Sequence, residues 1–203
     1  MTLGIHRVIL LGDSAVGKTS IINQYIYNSS GTDYKTTIGI DYFTKNVNID
    51  GVPVRLQIWD TAGQEKFHAI IPSYIRNVSI VILVFDITQR QSFDNVQKWY
   101  QIVTDITKPK FFLAGNKVDL ELNREVTFKD AKKYADSIGA TYIETSSRTP
   151  INITELFNQV ASVPIATSNE PELEEKQAIV VKVDLNKSKQ TEQGSNANSG
   201  CSC

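Results

Sequence analysis

Gly12-Asp13-Ser14-Ala15-Val16-Gly17-Lys18-Thr19 places two glycines, a lysine and a threonine at the spacing of a loop that wraps phosphates. Glycine lets the backbone turn tightly and bring N–H groups close to anionic oxygens. A helix beginning near Gly17 and running into Ser20 points its positive end at the same anion. Lys18 offers a mobile positive charge for the outer phosphates, and the Thr19 hydroxyl suits Mg²⁺. By itself the loop says nucleoside triphosphate, without naming the base or requiring hydrolysis.

Three further segments sharpen that chemistry. Asp60-Thr61-Ala62-Gly63-Gln64 follows a strand. There a carboxylate can hold Mg²⁺ through water, Gly63 can bring an N–H to the terminal phosphate, and Gln64 can orient an attacking water. Asn116-Lys117-Val118-Asp119 also follows a strand. Asp119 can accept from guanine N1–H and its exocyclic amine, a donor pair that adenine lacks. Asn116 can tie this segment to the phosphate loop, and the aliphatic stem of Lys117 can cover the base. Glu144-Thr145-Ser146-Ser147-Arg148 ends a last strand, and its backbone N–H groups can meet the guanine carbonyl. Thr37, in Thr37-Ile38-Gly39, can carry a hydroxyl to Mg²⁺, although Thr36 beside it is an equal candidate by composition.

The elements that must position these groups alternate in type. Strands are predicted over 5–11, 42–49, 54–60, 80–86, 110–115 and 141–144, with Asp50-Gly51 closing a hairpin between the second and third. Between the others lie helical patterns. Ser92 is predicted to cap a helix carrying Phe93, Val96, Trp99, Tyr100 and Val103 on one face. Thr127 caps a second helix that Gly139 closes, and a third runs over 152–163 with Ile153, Leu156, Phe157 and Val160 inward. The fold class is α/β, a six-stranded, mostly parallel sheet with one antiparallel strand and helices on both faces.

The chain has 203 residues and a net charge of −1, which fits one domain plus a tail and argues against nucleic acid as the main partner. No apolar run is long enough to span a bilayer, and the first residues lack the layout of a signal peptide, so a cytosolic setting is expected. The domain is expected over 1–165. Residues 166–203, polar apart from an island around Val181-Lys182-Val183, are expected to form a flexible tail reaching roughly 30–35 Å. Both cysteines, Cys201 and Cys203, end that tail and suit lipid attachment, though not in the C-a-a-X form.

These segments, in this order, resemble the P-loop fold of the Ras superfamily of small GTPases over residues 5–165. Ile38-Gly39-Ile40-Asp41-Tyr42-Phe43, the run from Leu56 to Phe67, and Tyr74-Ile75-Arg76 resemble the Rab branch. Ile70-Ile71-Pro72-Ser73-Tyr74-Ile75-Arg76 and the Cys-Ser-Cys ending resemble its Golgi "Rab-six" subgroup. The resemblance implies a monomeric, membrane-anchored switch of vesicle traffic, cycling between cytosol and the cytoplasmic face of Golgi or vesicle membranes. GTP or GDP would contact Ser14, Ala15, Val16, Gly17, Lys18, Thr19, Ser20, Tyr34, Thr37, Gly63, Asn116, Lys117, Asp119, Ser146, Ser147 and Arg148. Thr19, Thr37 and Asp60 would serve Mg²⁺. Gln64 would position water while a GAP supplies an arginine. Exchange factors, a dissociation inhibitor and effectors would read 34–45 and 64–76. Cys201 and Cys203 would be geranylgeranylated, with the apolar island docking on an escort protein. Two departures stand out: Ser30 occupies a position where relatives carry an aromatic against the base, and Ser147-Arg148 replaces Ala-Lys.

Overall fold

The computed structural model describes residues 4–29, 37, 39–61 and 71–164. Its strands are β1 (Gly4–Leu11), β2 (Ile40–Ile49), β3 (Val52–Thr61), β4 (Ile80–Asp86), β5 (Lys110–Asn116) and β6 (Thr141–Thr145). Its helices are α1 (Lys18–Tyr27), α2 (Ile71–Ile75), α3 (Arg90–Asp94), α4 (Val96–Thr104), α5 (Phe128–Ser137) and α6 (Ile153–Ala161). The strands form one sheet in the order β2-β3-β1-β4-β5-β6. Only β2 runs antiparallel, joined to β3 at Asp50-Gly51, where both residues have positive φ (50° and 83°). Two successive left-handed residues make the turn whose twist matches a hairpin.

Every residue of β4 is buried, as a central parallel strand requires. Side chains alternate across β1 with period two. Val8 and Leu10 pack with Ile21, Ile22, Leu156 and Phe157, so α1 and α6 cover one face. Ile9 and Leu11 pack with Ile75, Val96, Trp99, Val103 and Ala131, so α2, α4 and α5 cover the other. The chain passes from β1 to β3 on one side, then crosses to β4 on the other. The carboxyl ends of β1, β3, β4, β5 and β6 therefore share one edge, with the switch in strand order at β1.

One predicted helix is two. Ser92 caps nothing: it is buried inside α3, its hydroxyl accepting from the Asp86 N–H (3.0 Å) and donating to Gln89 O (2.7 Å). The apolar stripe from Phe93 to Val103 spans the junction at Asn95, because both helices bury their inner residues in the same cluster. Thr127 does cap α5, accepting from the Asp130 N–H at 3.1 Å. At the other end Gly139 (φ 67°) and Ala140 return N–H bonds to Asp136 and Ala135, a Schellman closure. Among the described residues no helix is long and apolar enough to cross a membrane.

Candidate functional site

The loop 12–17 leaves β1 at the switch in strand order and enters α1 through Gly17 (φ 101°). Gly12 passes so near β4 that a Cβ would sit 2.1 Å from Val84 O, and a Cβ on Gly17 would sit 2.2 Å from Asn116 Nδ2. Ala15 adds a left-handed turn at φ 63°. Lys18 is not the mobile charge expected of it. Its ammonium donates to Gly12 O (2.8 Å) and Asp13 O (2.7 Å), and 5% of the residue is exposed. Burial lowers its pKa to about 8, against the raising influence of Asp60 and Asp13. A buried ammonium with two of its three donors on loop carbonyls has the third to offer a bound anion.

Beside the lysine, Thr19, Thr37 and Asp60 meet. Thr19 Oγ1 donates to Asp60 Oδ2 at 2.5 Å and lies 2.6 Å from Thr37 Oγ1. Asp60 is fully buried, and burial raises its pKa to about 6. Its Oδ1 has no hydrogen-bond partner among the described residues. Two hydroxyls and a buried carboxylate with a bare oxygen form the hard-oxygen set a small divalent cation prefers, so these residues fit Mg²⁺. Thr61, the next residue, donates to Leu10 O (2.7 Å) and locks the end of β3 to β1 beneath the loop.

The ends of β5 and β6 build the neighbouring compartment. Asn116 donates from Nδ2 to Val16 O (2.9 Å), so the β5 segment is tied to the phosphate loop, and it accepts from Thr145 Oγ1 (3.2 Å). Asp119 lies at the start of a 3-10 helix, Val118–Asn123, and accepts from the Ser146 hydroxyl at 2.6 Å. The main-chain role expected of 144–148 needs correction at one residue. The Ser146 N–H is taken by Ile151 O (3.1 Å), leaving Ser147 and Arg148 as the donors this turn can offer.

Sequence reasoning passed over Asp86 and Asp13. Asp86, buried at the end of β4, pairs with Lys117 Nζ at 2.6 Å and accepts from Thr88. It thereby fixes the far end of the Lys117 stem, whose backbone is left-handed at φ 70°. An acidic residue closing an apolar strand one position before a loop was the available signal. Asp13 is engaged by α4. Ser14, Val16 and Ser20 lie in the loop and first turn of α1 as expected. Tyr34, Gly63, Gln64, Ser30, Cys201 and Cys203 lie outside the described residues.

A phosphate loop at the switch point, a hydroxyl–carboxylate cluster beside it and an Asn–Lys–Asp segment bonded to it make one composite site. The model of the Ras family matches residues 7–164. The chain belongs to the Ras family. It is accordingly a small GTPase, and members of the Ras family bind GTP and GDP with Mg²⁺. The matched span takes in β1 from Arg7 onward, all of β2 to β6 and all the site segments just described.

Proposed function

We propose that this Ras-family chain is a Rab-branch switch that binds GTP and GDP, hydrolyses GTP slowly, and recruits effectors to a Golgi or vesicle membrane. The observation that carries the switch reading is the meeting of Thr37 with Thr19 and Asp60. Thr37 comes from the connection between α1 and β2, so a group bound at that cluster holds a connecting segment, and losing it releases the segment.

Thr19, Thr37 and Asp60 would hold Mg²⁺, which when bound offsets charge on the phosphate oxygens. Lys18 and the loop N–H groups orient the phosphates. Asn116 locks the base compartment to the loop, and Asp119, steadied by Ser146, keeps acceptor capacity for the two guanine donors. A site built around such donors rejects a base lacking them by roughly 10⁴-fold. Gln64 orients the attacking water, with unaided turnover of about 10⁻⁴ s⁻¹ and acceleration by a GAP.

The Rab and Golgi assignments rest on the sequence signatures at 38–43, 56–67 and 70–76. Tyr42 and Tyr74, each 43% exposed, place apolar surface in the segments proposed to meet effectors and exchange factors. Cys201 and Cys203 supply the double lipid anchor that stable attachment needs.

Competition between GTP and ATP for the purified protein, followed by single-turnover hydrolysis, tests the core. GTP should win, and Gln64→Leu should nearly abolish turnover; equal hydrolysis by the variant removes Gln64 from its role. Mass spectrometry of the native C-terminal peptide should find two geranylgeranyl groups, and unmodified cysteines would refute the anchor. Microscopy of the tagged full chain should place it on Golgi membranes.

A further inference from the structure

We propose that Asp13, gripped by Asn95 and Trp99, is a positioning residue that braces the phosphate loop against α4. The proposal rests on the phosphate-binding reading of that loop. A carboxylate at the loop's second position is at first sight misplaced, since a free anion there would repel a bound polyphosphate. Both of its oxygens are committed elsewhere. Oδ1 accepts from Trp99 Nε1 at 2.9 Å, and Oδ2 accepts from Asn95 Nδ2 at 2.6 Å.

Both donors belong to the amino end of α4. Asn95 immediately precedes its first residue and Trp99 lies one turn further in. Peptide dipoles at that end also favour a carboxylate. Trp99 is 4% exposed and packs in the same cluster as Val96 and Val103, so its indole is a fixed donor. The main chain of Asp13 is held as well, its carbonyl accepting from Lys18 Nζ. The residue is therefore clamped through side chain and backbone at once. The loop beyond it needs such a clamp, because Ala15 holds a left-handed conformation that a non-glycine residue leaves readily.

A charge and a brace act on nucleotide retention with opposite sign. Removing a mere charge beside the phosphates slows GDP release; removing a brace quickens it. The reference protein carries Trp59→Phe, which leaves Trp99 as its one tryptophan. Release of labelled GDP is measured for the reference and after adding Asp13→Ala, Asn95→Ala, Trp99→Phe, or Asp13→Ala with Trp99→Phe.

Asp13→Ala and Trp99→Phe should each speed release about tenfold, the scale of one charge-assisted hydrogen bond. The double variant should release no faster than the faster single one, because both act through one contact. Trp99 emission in the reference protein should shift on Asp13→Ala with an unchanged far-ultraviolet circular dichroism spectrum. Asn95→Ala, at a half-buried position, repeats the release test if Trp99→Phe does not fold. Slower release from Asp13→Ala, multiplying effects in the double variant, or unmoved emission each overturns the brace. A reference protein that retains no guanine nucleotide overturns the phosphate-loop reading and the brace with it; one that retains it while every variant matches it overturns the brace alone.

Discussion

Gly12 and Gly17 leave no room for a side chain, and for different reasons. A Cβ on Gly12 meets a backbone carbonyl of the central strand, which has nowhere to go, at a φ of 150°. Gly12→Ala should therefore destabilise the protein by more than about 3 kcal/mol, the range of severe core strain, read from urea midpoints. A Cβ on Gly17 meets the tip of a side chain, Asn116 Nδ2. Gly17→Ala should cost less stability but break the Asn116–Val16 bond, and so weaken guanine nucleotide binding. Asp86→Ala tests the second anchor. Lys117 is 28% exposed and can rehydrate, so the loss should be about 2 kcal/mol rather than the 3–5 of a fully buried pair. GDP release should quicken as the Lys117 stem loses its hold; unchanged release would mean that the stem is not fixed through Asp86.

At the scale of elements, the base compartment depends on two short segments staying together. Arg124 clips them: its guanidinium bonds Glu121 within the 3-10 helix and both oxygens of Glu144 on β6. Tyr142 donates to the same Glu144 at 2.8 Å. Arg124 and Glu144 are 16% and 18% exposed, so Arg124→Ala should cost about 2 kcal/mol, the scale of hydrogen bonds to charged groups. Because the clip joins the segments bearing Asp119 and Ser147, guanine affinity should fall while the GTP-over-ATP preference survives. Calorimetric titration with both nucleotides reads the two effects separately. Thr127→Ala removes the α5 cap, whose hydroxyl bonds Asp130 of its own helix and no site residue, and should cost about 1 kcal/mol with no change in nucleotide release.

For the compact unit as a whole, the two ends of the described chain meet at His6, whose Nε2 lies 2.9 Å from Val163 O across 157 positions. The ring is almost fully buried, and burial pushes its pKa below the ordinary value. Below about pH 6.5 the unfolded chain takes up a proton that the folded chain resists, so stability falls as pH drops through that value. Urea midpoints at pH 7.5 and 5.5 should differ more for wild type than for His6→Gln. Nucleotide acts on the same global equilibrium. GDP with Mg²⁺ at a hundredfold excess over its dissociation constant adds about 2.7 kcal/mol, or about 5–10 °C in Tm for a domain of this size. Chelating the metal should shrink that shift; a Tm indifferent to both would contradict the assigned site.

Much of the molecule is written locally. The apolar runs of β1 and β4, the Asp50-Gly51 turn, the Thr127 cap and the Gly139 closure depend on neighbours within a few residues, so sequence alone determined them. The phosphate loop and the Asn116–Asp119 segment are legible for the same reason, since each packs its chemistry into a few consecutive residues. What tertiary structure decided is which distant groups answer one another. Asn95 and Trp99 reach Asp13 across more than eighty positions, Asp86 reaches Lys117, and Ser146 serves Asp119 with its hydroxyl while its N–H goes to Ile151. The break at Asn95 was hidden because an unbroken apolar stripe serves one bent surface as well as one straight helix. Burial, too, belongs to the fold: Lys18 and Asp60 carry shifted acidities because parallel strands bring them out of water together, and no spacing along a chain records the loss of solvent.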